Sequence, residues 1–274
     1  MLSNLSLKEQ AKLVLSLTDL TSLDDKDNFN TIQDLCAKAV SSYGKVAAVC
    51  VYKQFANYAK FLLGDQVKVA TVINFPDGAL DPQRFAFEYA YSISQEVDEI
   101  DYVFPWRKLV ELTANQDKQI ADLSKVKENP VYQEMYALVK PYLAPLSKKD
   151  TRVKVILESG SLTPNQIAIA SQICLDFQVD FIKTSTGKFG PGASLEAAQI
   201  IFELIKLNKS NTGFKASGGI RTVSQAMEYI SLAQSILGDN FIKAETFRFG
   251  ASGIYNDIVN ILEDREPTEN NSSY

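Results

Sequence analysis

The chain has 274 residues, 28 basic and 33 acidic side chains, a net charge of −5 and a pI near 5.0. This balance argues against electrostatic binding to nucleic acid or to an anionic membrane. With 46% hydrophobic residues it can bury a large core, and it contains no histidine, which excludes Ser-His and Cys-His nucleophile pairs, histidine-ligated zinc and histidine general bases.

Residues 1–15 place apolar side chains at helical spacing with charges between them, unlike the continuous apolar core of a signal peptide. A weak strand is predicted near 17–20, carrying Asp19 and followed by Thr21. Stronger strands follow at 45–52, 67–74, 99–104, 153–158, 180–184, 213–216 and 243–249, several of them continuous apolar runs of the kind buried on both faces of a parallel sheet. Helix starts fall between them. Asp81-Pro82 and Thr163-Pro164 each set a capping residue before a proline at the first helical position, and Thr222 with Gln225 fits a capping box.

Strand and helix alternating about eight times is the order of a closed (β/α)₈ barrel or an open doubly wound sheet. The barrel is favoured because polar residues gather just after the strands. No Gly- or Pro-rich linker divides the chain, so a single domain over 1–274 is expected. Within it, 113–150 reads as an insertion or extended crossover, and 263–274 as a polar tail. Cys36, Cys50 and Cys174 form no metal or disulfide pattern and suit reduced core thiols. No stretch has the roughly 18 uncharged apolar residues of a membrane span. A soluble, cytoplasmic protein is expected.

The segment Asp180-Phe-Ile-Lys-Thr-Ser-Thr-Gly-Lys188 ends an apolar strand with Lys183. A buried ammonium either finds a carboxylate or loses its proton, so Lys183 is a structural ion pair or a reactive amine. Lys215 ends the next strand in the same way, 32 residues on. Two neighbouring cations depress each other's basicity, one route to a nucleophilic lysine. Bringing a lysine from about 10.4 to about 7 takes about 4.6 kcal/mol. Asp101, alone in an apolar strand, is either a satisfied core carboxylate or the partner of the lysines and a proton carrier. Asp19 and Thr21 would otherwise be a helix cap. Three late glycine turns, around Thr186-Gly187-Lys188, Gly218-Gly219-Ile220-Arg221 and Gly250-Ala251-Ser252-Gly253, suit an anion such as phosphate. The residues point to a phosphorylated carbonyl substrate.

Taken together these segments resemble the deoxyribose-phosphate aldolase family, class I aldolases built on a (β/α)₈ barrel. The resemblance rests on Ala47-Ala-Val-Cys-Val-Tyr52, Ala70-Thr-Val-Ile-Asn-Phe-Pro76, Asp101-Tyr-Val-Phe-Pro105, Val155-Ile-Leu-Glu-Ser-Gly160, Phe181-Ile-Lys-Thr-Ser-Thr-Gly-Lys188, Gly213-Phe-Lys215 with Gly218-Gly-Ile-Arg221, and Arg248-Phe-Gly-Ala-Ser252. It implies Lys183 as the Schiff-base lysine, Lys215 as the lysine that lowers its pKa, and Asp101 as an acid/base partner acting through water. It implies a phosphate cradle at Gly187, Gly218, Gly219 and Ser252, with Asp19 and Thr21 near the lysines or the sugar. The terminal Tyr274 matches a tyrosine that assists proton transfer, and Cys50 one near the substrate channel. The implied reaction is reversible cleavage of 2-deoxy-D-ribose 5-phosphate to D-glyceraldehyde 3-phosphate and acetaldehyde. No metal or cofactor is implied, and the implied partners are small phosphorylated sugars, aldehydes and a second copy in a homodimer. Three departures stand out. Ala216-Ser217 replaces a Pro-Ala pair, Asp77 a frequent histidine, and Gly253 a second serine that would supply a phosphate hydroxyl. A catalytically idle sugar-phosphate-binding barrel and a class I aldolase for another phosphorylated sugar are the alternatives.

Overall fold

The computed structural model describes residues 5–114, 122–146, 151–251 and 253–265. The chain begins with α1 (Leu7–Ser16), β1 (Thr18–Ser22) and α2 (Phe29–Ala39). A two-residue antiparallel ladder, β2 (Val40–Ser41) with β3 (Gly44–Lys45), precedes β4 (Ala48–Val51), so the predicted 45–52 strand is split between two sheets. Then follow α3 (Lys53–Leu63), β5 (Lys68–Ile73), α4 (Pro82–Ser94), β6 (Glu99–Val103) and α5 (Trp106–Thr113). The second half holds α6 (Pro130–Leu146), β7 (Arg152–Ile156), α7 (Pro164–Asp176), β8 (Phe181–Lys183), α8 (Leu195–Leu207), β9 (Gly213–Ser217), α9 (Val223–Leu237), β10 (Phe247–Ala251) and α10 (Ile254–Leu262).

Eight parallel strands close into a barrel in the order β1-β10-β9-β8-β7-β6-β5-β4, with β4 pairing β1 to complete the ring. The caps form as the sequence predicts. Asp81 accepts from the Gln83 and Arg84 amides at the start of α4, and capping boxes open α7 at Thr163 and α9 at Thr222. The last barrel strand begins later than predicted. Residues 243–246 turn back on themselves, the Thr246 and Phe247 amides both donating to Lys243 O, and of these residues Thr246 reaches β9 through its carbonyl, which accepts from the Phe214 amide at 2.8 Å. The described part of 113–150 is helical and lies between β6 and β7. A 3₁₀ turn (Leu123–Glu128) leads into α6, which buries Val131, Met135, Val139, Leu143 and Leu146 among the helices.

Strand side chains alternate between the helix layer and the barrel axis. Tyr102, Val153, Val155, Ile182, Phe214, Phe247 and Phe249 belong to the large apolar cluster. The intervening positions Asp101, Lys154, Lys183, Lys215 and Arg248 therefore face inward, and all are buried. Toward the mouth, a smaller apolar cluster of Leu23, Cys50, Ala70, Val72, Phe75, Val103 and Ile156 lines the β4–β7 side. Among the described residues, no helix is long and apolar enough to cross a membrane.

Candidate active site

Register brings the two predicted lysines together. Lys183 on β8 is the direct ladder partner of Lys215 on β9, and Asp101 on β6 is the partner of Lys154 on β7. Both point inward on a short barrel radius, so their charged tips meet at the axis. Lys183 Nζ donates to Asp101 Oδ2 at 2.8 Å, and Lys215 Nζ donates to the same oxygen at 2.9 Å. Lys154 Nζ takes the other oxygen, Oδ1, at 2.8 Å. Below this layer Lys215 also donates to Asp19 Oδ2 at 2.6 Å. Arg248 reaches Asp19 Oδ1 at 2.5 Å and Glu99 Oε1 at 3.1 Å. Lys154 pairs with Glu99 at 2.5 Å, which closes the network.

All seven side chains are essentially removed from solvent, and each charge in such a place needs compensation. Lys154, Lys183, Lys215 and Arg248 give four cations, and Asp19, Glu99 and Asp101 give three carboxylates. Fully ionised, the set carries one excess positive charge, and the shifts show which cation the site favours least. Burial would raise the Asp101 carboxyl, but Lys154, Lys183 and Lys215 outweigh it and hold it well below the usual carboxylate range. Asp19 is held low in the same way, by Lys215, Arg248 and Lys154 against its burial. Lys154 and Lys215 are pushed up, because their carboxylates overcome the burial that opposes their charge. Lys183 alone of the three shifts down: burial leads, Asp101 opposes, and the neighbouring Lys215 ammonium adds to the depression. Burial therefore does more than Lys215 to favour the neutral Lys183 amine.

Lys183 also opens on a cavity of about 280 Å³. Thr21, Thr186, Gly187, Lys188, Gly218, Gly219, Arg221 and Gly250 lie in its wall, as the sequence suggests. Gly218 and Gly219 take φ of 88° and 81°, left-handed backbone that side chains resist and of the kind that builds anion-binding turns. Gly253 lines the same wall at the N-terminus of α10, where the helix dipole favours an anion. Gly250 has a further structural reason. A Cβ there would stand 2.8 Å from Lys215 Cε and 2.7 Å from Ser217 Oγ, so the glycine makes room for the lysine.

Other predicted residues are placed differently. Asp19 does not line the cavity but lies beneath it, held by Lys215 and Arg248. The Lys188 ammonium is tied to Leu23 O at 2.8 Å. Cys50 is fully buried beside the network, and burial pushes its thiol up to about 11, which makes it a poor thiolate. Ser252 and Tyr274 lie outside the described residues. Sequence reasoning missed Lys154, Glu99 and Arg248. The signal was present, since Lys154 and Arg248 interrupt Val153-Lys-Val155 and Phe247-Arg-Phe249 just as Asp101 interrupts its own apolar strand.

Known proteins share this arrangement of sequence and fold. A family model described as DeoC/LacD family aldolase matches residues 13–251. A deoxyribose-phosphate aldolase of Agrobacterium fabrum (strain C58) is 38% identical over 270 residues, covering 97% of each chain. The crystal structure of a candidate deoxyribose-phosphate aldolase from Coccidioides immitis superposes with a TM-score of 0.70 at 28% identity, over 90% of this chain and 86% of that one. An apo structure from Toxoplasma gondii, described in the same terms, reaches 0.79 at 18% identity, over 95% and 98%, and speaks to the fold alone.

Proposed function

The chain belongs to the DeoC/LacD family of aldolases, and on that premise we propose that it cleaves 2-deoxy-D-ribose 5-phosphate reversibly to D-glyceraldehyde 3-phosphate and acetaldehyde, with Lys183 as the Schiff-base lysine. One observation carries this reading. Lys183 is the buried lysine whose basicity is lowered, and it faces a cavity walled by glycine turns.

The steps follow from that geometry. The Lys183 lone pair attacks C1 of the open-chain aldehyde, and loss of water from the carbinolamine leaves an iminium. Removing the proton of the C3 hydroxyl breaks the C2–C3 bond. C3 becomes the aldehyde carbon of the departing D-glyceraldehyde 3-phosphate, the C2–C3 electron pair forms C1=C2, and the iminium π pair moves to nitrogen. The enamine takes a proton at C2, and water releases acetaldehyde and the free amine. Asp101 stays ionised between three ammonium groups, so it orients the amine and passes protons through water rather than storing one. Lys215, held protonated, disfavours a second ammonium next to it. Gly187, Gly218, Gly219, Arg221 and Ser252 are assigned to the phosphate, Thr21, Thr186, Lys188 and Gly250 to the walls around the sugar.

Incubation with acetaldehyde and borohydride, followed by peptide mass spectrometry, tests the assignment. An ethyl adduct is expected on the peptide holding Lys183 and absent from Lys183→Ala. Labelling of Lys215 instead would exchange the two roles, and a folded enzyme without any selective adduct would overturn the mechanism. Tyr274 is assigned to proton transfer; its deletion should lower kcat and leave Tm unchanged, and full turnover would refute this. We also propose a cytoplasmic homodimer. The three buried free cysteines and the exposed Phe61 and Phe87 on adjacent helices support it, and sedimentation velocity reads the assembly directly.

A further inference from the structure

The loop after β8 forms one side of the cavity, through Lys188, Gly190 and Gly192. Gly187, Gly190, Pro191 and Gly192 give it few side chains with which to fix its own position, and glycine-rich backbone is entropically costly to hold. Its inner edge is fixed by close backbone contact. A Cβ on Gly192 would fall 2.2 Å from Gly218 O, and the Ala193 amide donates to that same oxygen at 3.0 Å. Farther out, the Lys188 ammonium bonds to Leu23 O at 2.8 Å and Pro191 O lies so close to Gly160 that a Cβ there would fall 1.7 Å from it, while Phe189 supplies the loop's aromatic contact. The Phe189 ring lies 6.0 Å from that of Trp106, and the Arg107 guanidinium carbon sits 4.6 Å from the Phe189 centroid and 4.1 Å from the Trp106 centroid. Arg107 is itself anchored to Asp77 O at 2.5 Å, and Trp106 packs on the apolar cluster of the barrel mouth.

We propose that Trp106, Arg107 and Phe189 form a positioning clamp that holds the β8–α8 loop against the cavity and so sets affinity for the phosphorylated end of the substrate. The inference rests on the phosphorylated-sugar reading of that cavity. None of the three reaches the reacting atoms. Their effect is to remove in advance the ordering cost that phosphate binding would otherwise bear, with the guanidinium held by the faces of both rings.

Steady-state kinetics with 2-deoxy-D-ribose 5-phosphate and with 2-deoxy-D-ribose separate this effect from the chemistry. Phe189→Ala should raise KM for the phosphorylated sugar about tenfold, about 1.4 kcal/mol, and leave KM for the unphosphorylated sugar unchanged. Phe189→Tyr keeps the ring and should restore the wild-type value, while Arg107→Met should shift KM the same way by less. Trp106 is the chain's one tryptophan, so its emission also reports the clamp during titration with inorganic phosphate. Half-saturation should move to about tenfold higher phosphate in Phe189→Ala. Equal KM changes for the two sugars, failure of tyrosine to rescue, or an unmoved phosphate midpoint would each overturn the clamp. If the wild type does not cleave the phosphorylated sugar, the substrate assignment falls, and the phosphate titration still decides the clamp on its own.

Discussion

Asp101 keeps two ammonium partners, Lys154 at 2.8 Å and Lys215 at 2.9 Å, when Lys183 is taken away. The converse does not hold, because Lys183 has Asp101 as its carboxylate partner and shares it with both other lysines. Its amine is therefore held in a place that disfavours its charged form, a cost tolerated for reactivity. The sign follows by linkage. Lys183 has a folded pKa below its unfolded value, so the unfolded chain binds the extra proton. The penalty is full below the folded pKa, shrinks as pH rises between the two values, and is gone above about 10.4. Lys183→Met, which keeps the length of the side chain and removes the charge, should abolish activity while stabilising the protein at pH 7 by about 1 kcal/mol, or about 2–4 °C in Tm. Thermal scans at pH 7 and near 10.5 check this. The gain should fade at the higher pH, and a variant less stable than wild type at pH 7 would show that the Asp101 contact outweighs the burial of the amine.

Helix starts were the most legible elements, because a cap is settled by residues within one turn. Asp81 with Pro82, Thr163 with Gln166 and Thr222 with Gln225 each make their bonds locally. Strand edges were less legible, since pairing is decided by the neighbouring strand. The 243–249 stretch looks extended, yet its first residues bond to one another, and the ladder with β9 begins at Phe247. β10 also shows how an element serves a side chain on its neighbour. Gly250 lies on the strand beside Lys215, where a methyl group would press on Lys215 Cε at 2.8 Å. That lysine cannot swing aside cheaply, because Asp19 and Asp101 both hold its ammonium. Gly250→Ala should therefore cost more in catalysis than in stability, with kcat for retro-aldol cleavage down about 10²-fold if the ammonium moves by about an ångström. Far-UV circular dichroism should remain that of the wild type. A lost Tm with unchanged kcat in the surviving fold would show that Lys215 tolerates the displacement.

At the scale of the whole barrel, the interior departs from the usual layers of branched apolar side chains. β4 and β5 contribute Cys50, Ala70 and Val72, while β6 to β10 and β1 contribute a closed ionic network. The contacts of that network join residues 114, 196 and 229 positions apart. Sequence could place a charge inward, but which charges meet depends on the order in which eight strands close, and so Arg248 and Glu99 went unread. They form the lower end of the network. Arg248 spans Asp19 and Glu99, and its guanidinium lies 5.6 Å from the Phe181 ring centroid. Removing one member of such a buried set leaves an uncompensated charge, so Arg248→Met should cost about 3–5 kcal/mol in urea unfolding. Glu99→Gln removes one of the carboxylates stranded by that change. If the arginine acts by charge, the double variant should be more stable than the sum of the single losses predicts, with a coupling of about 1 kcal/mol or more. If it acts mainly by filling space over Phe181, the two losses should add, because Glu99→Gln would then relieve nothing. The unfolding free energies of the four proteins decide between these, and only the coupled outcome is consistent with a barrel whose interior carboxylates and cations compensate one another from base to mouth, with Lys183, the lysine of lowered basicity, at the upper end.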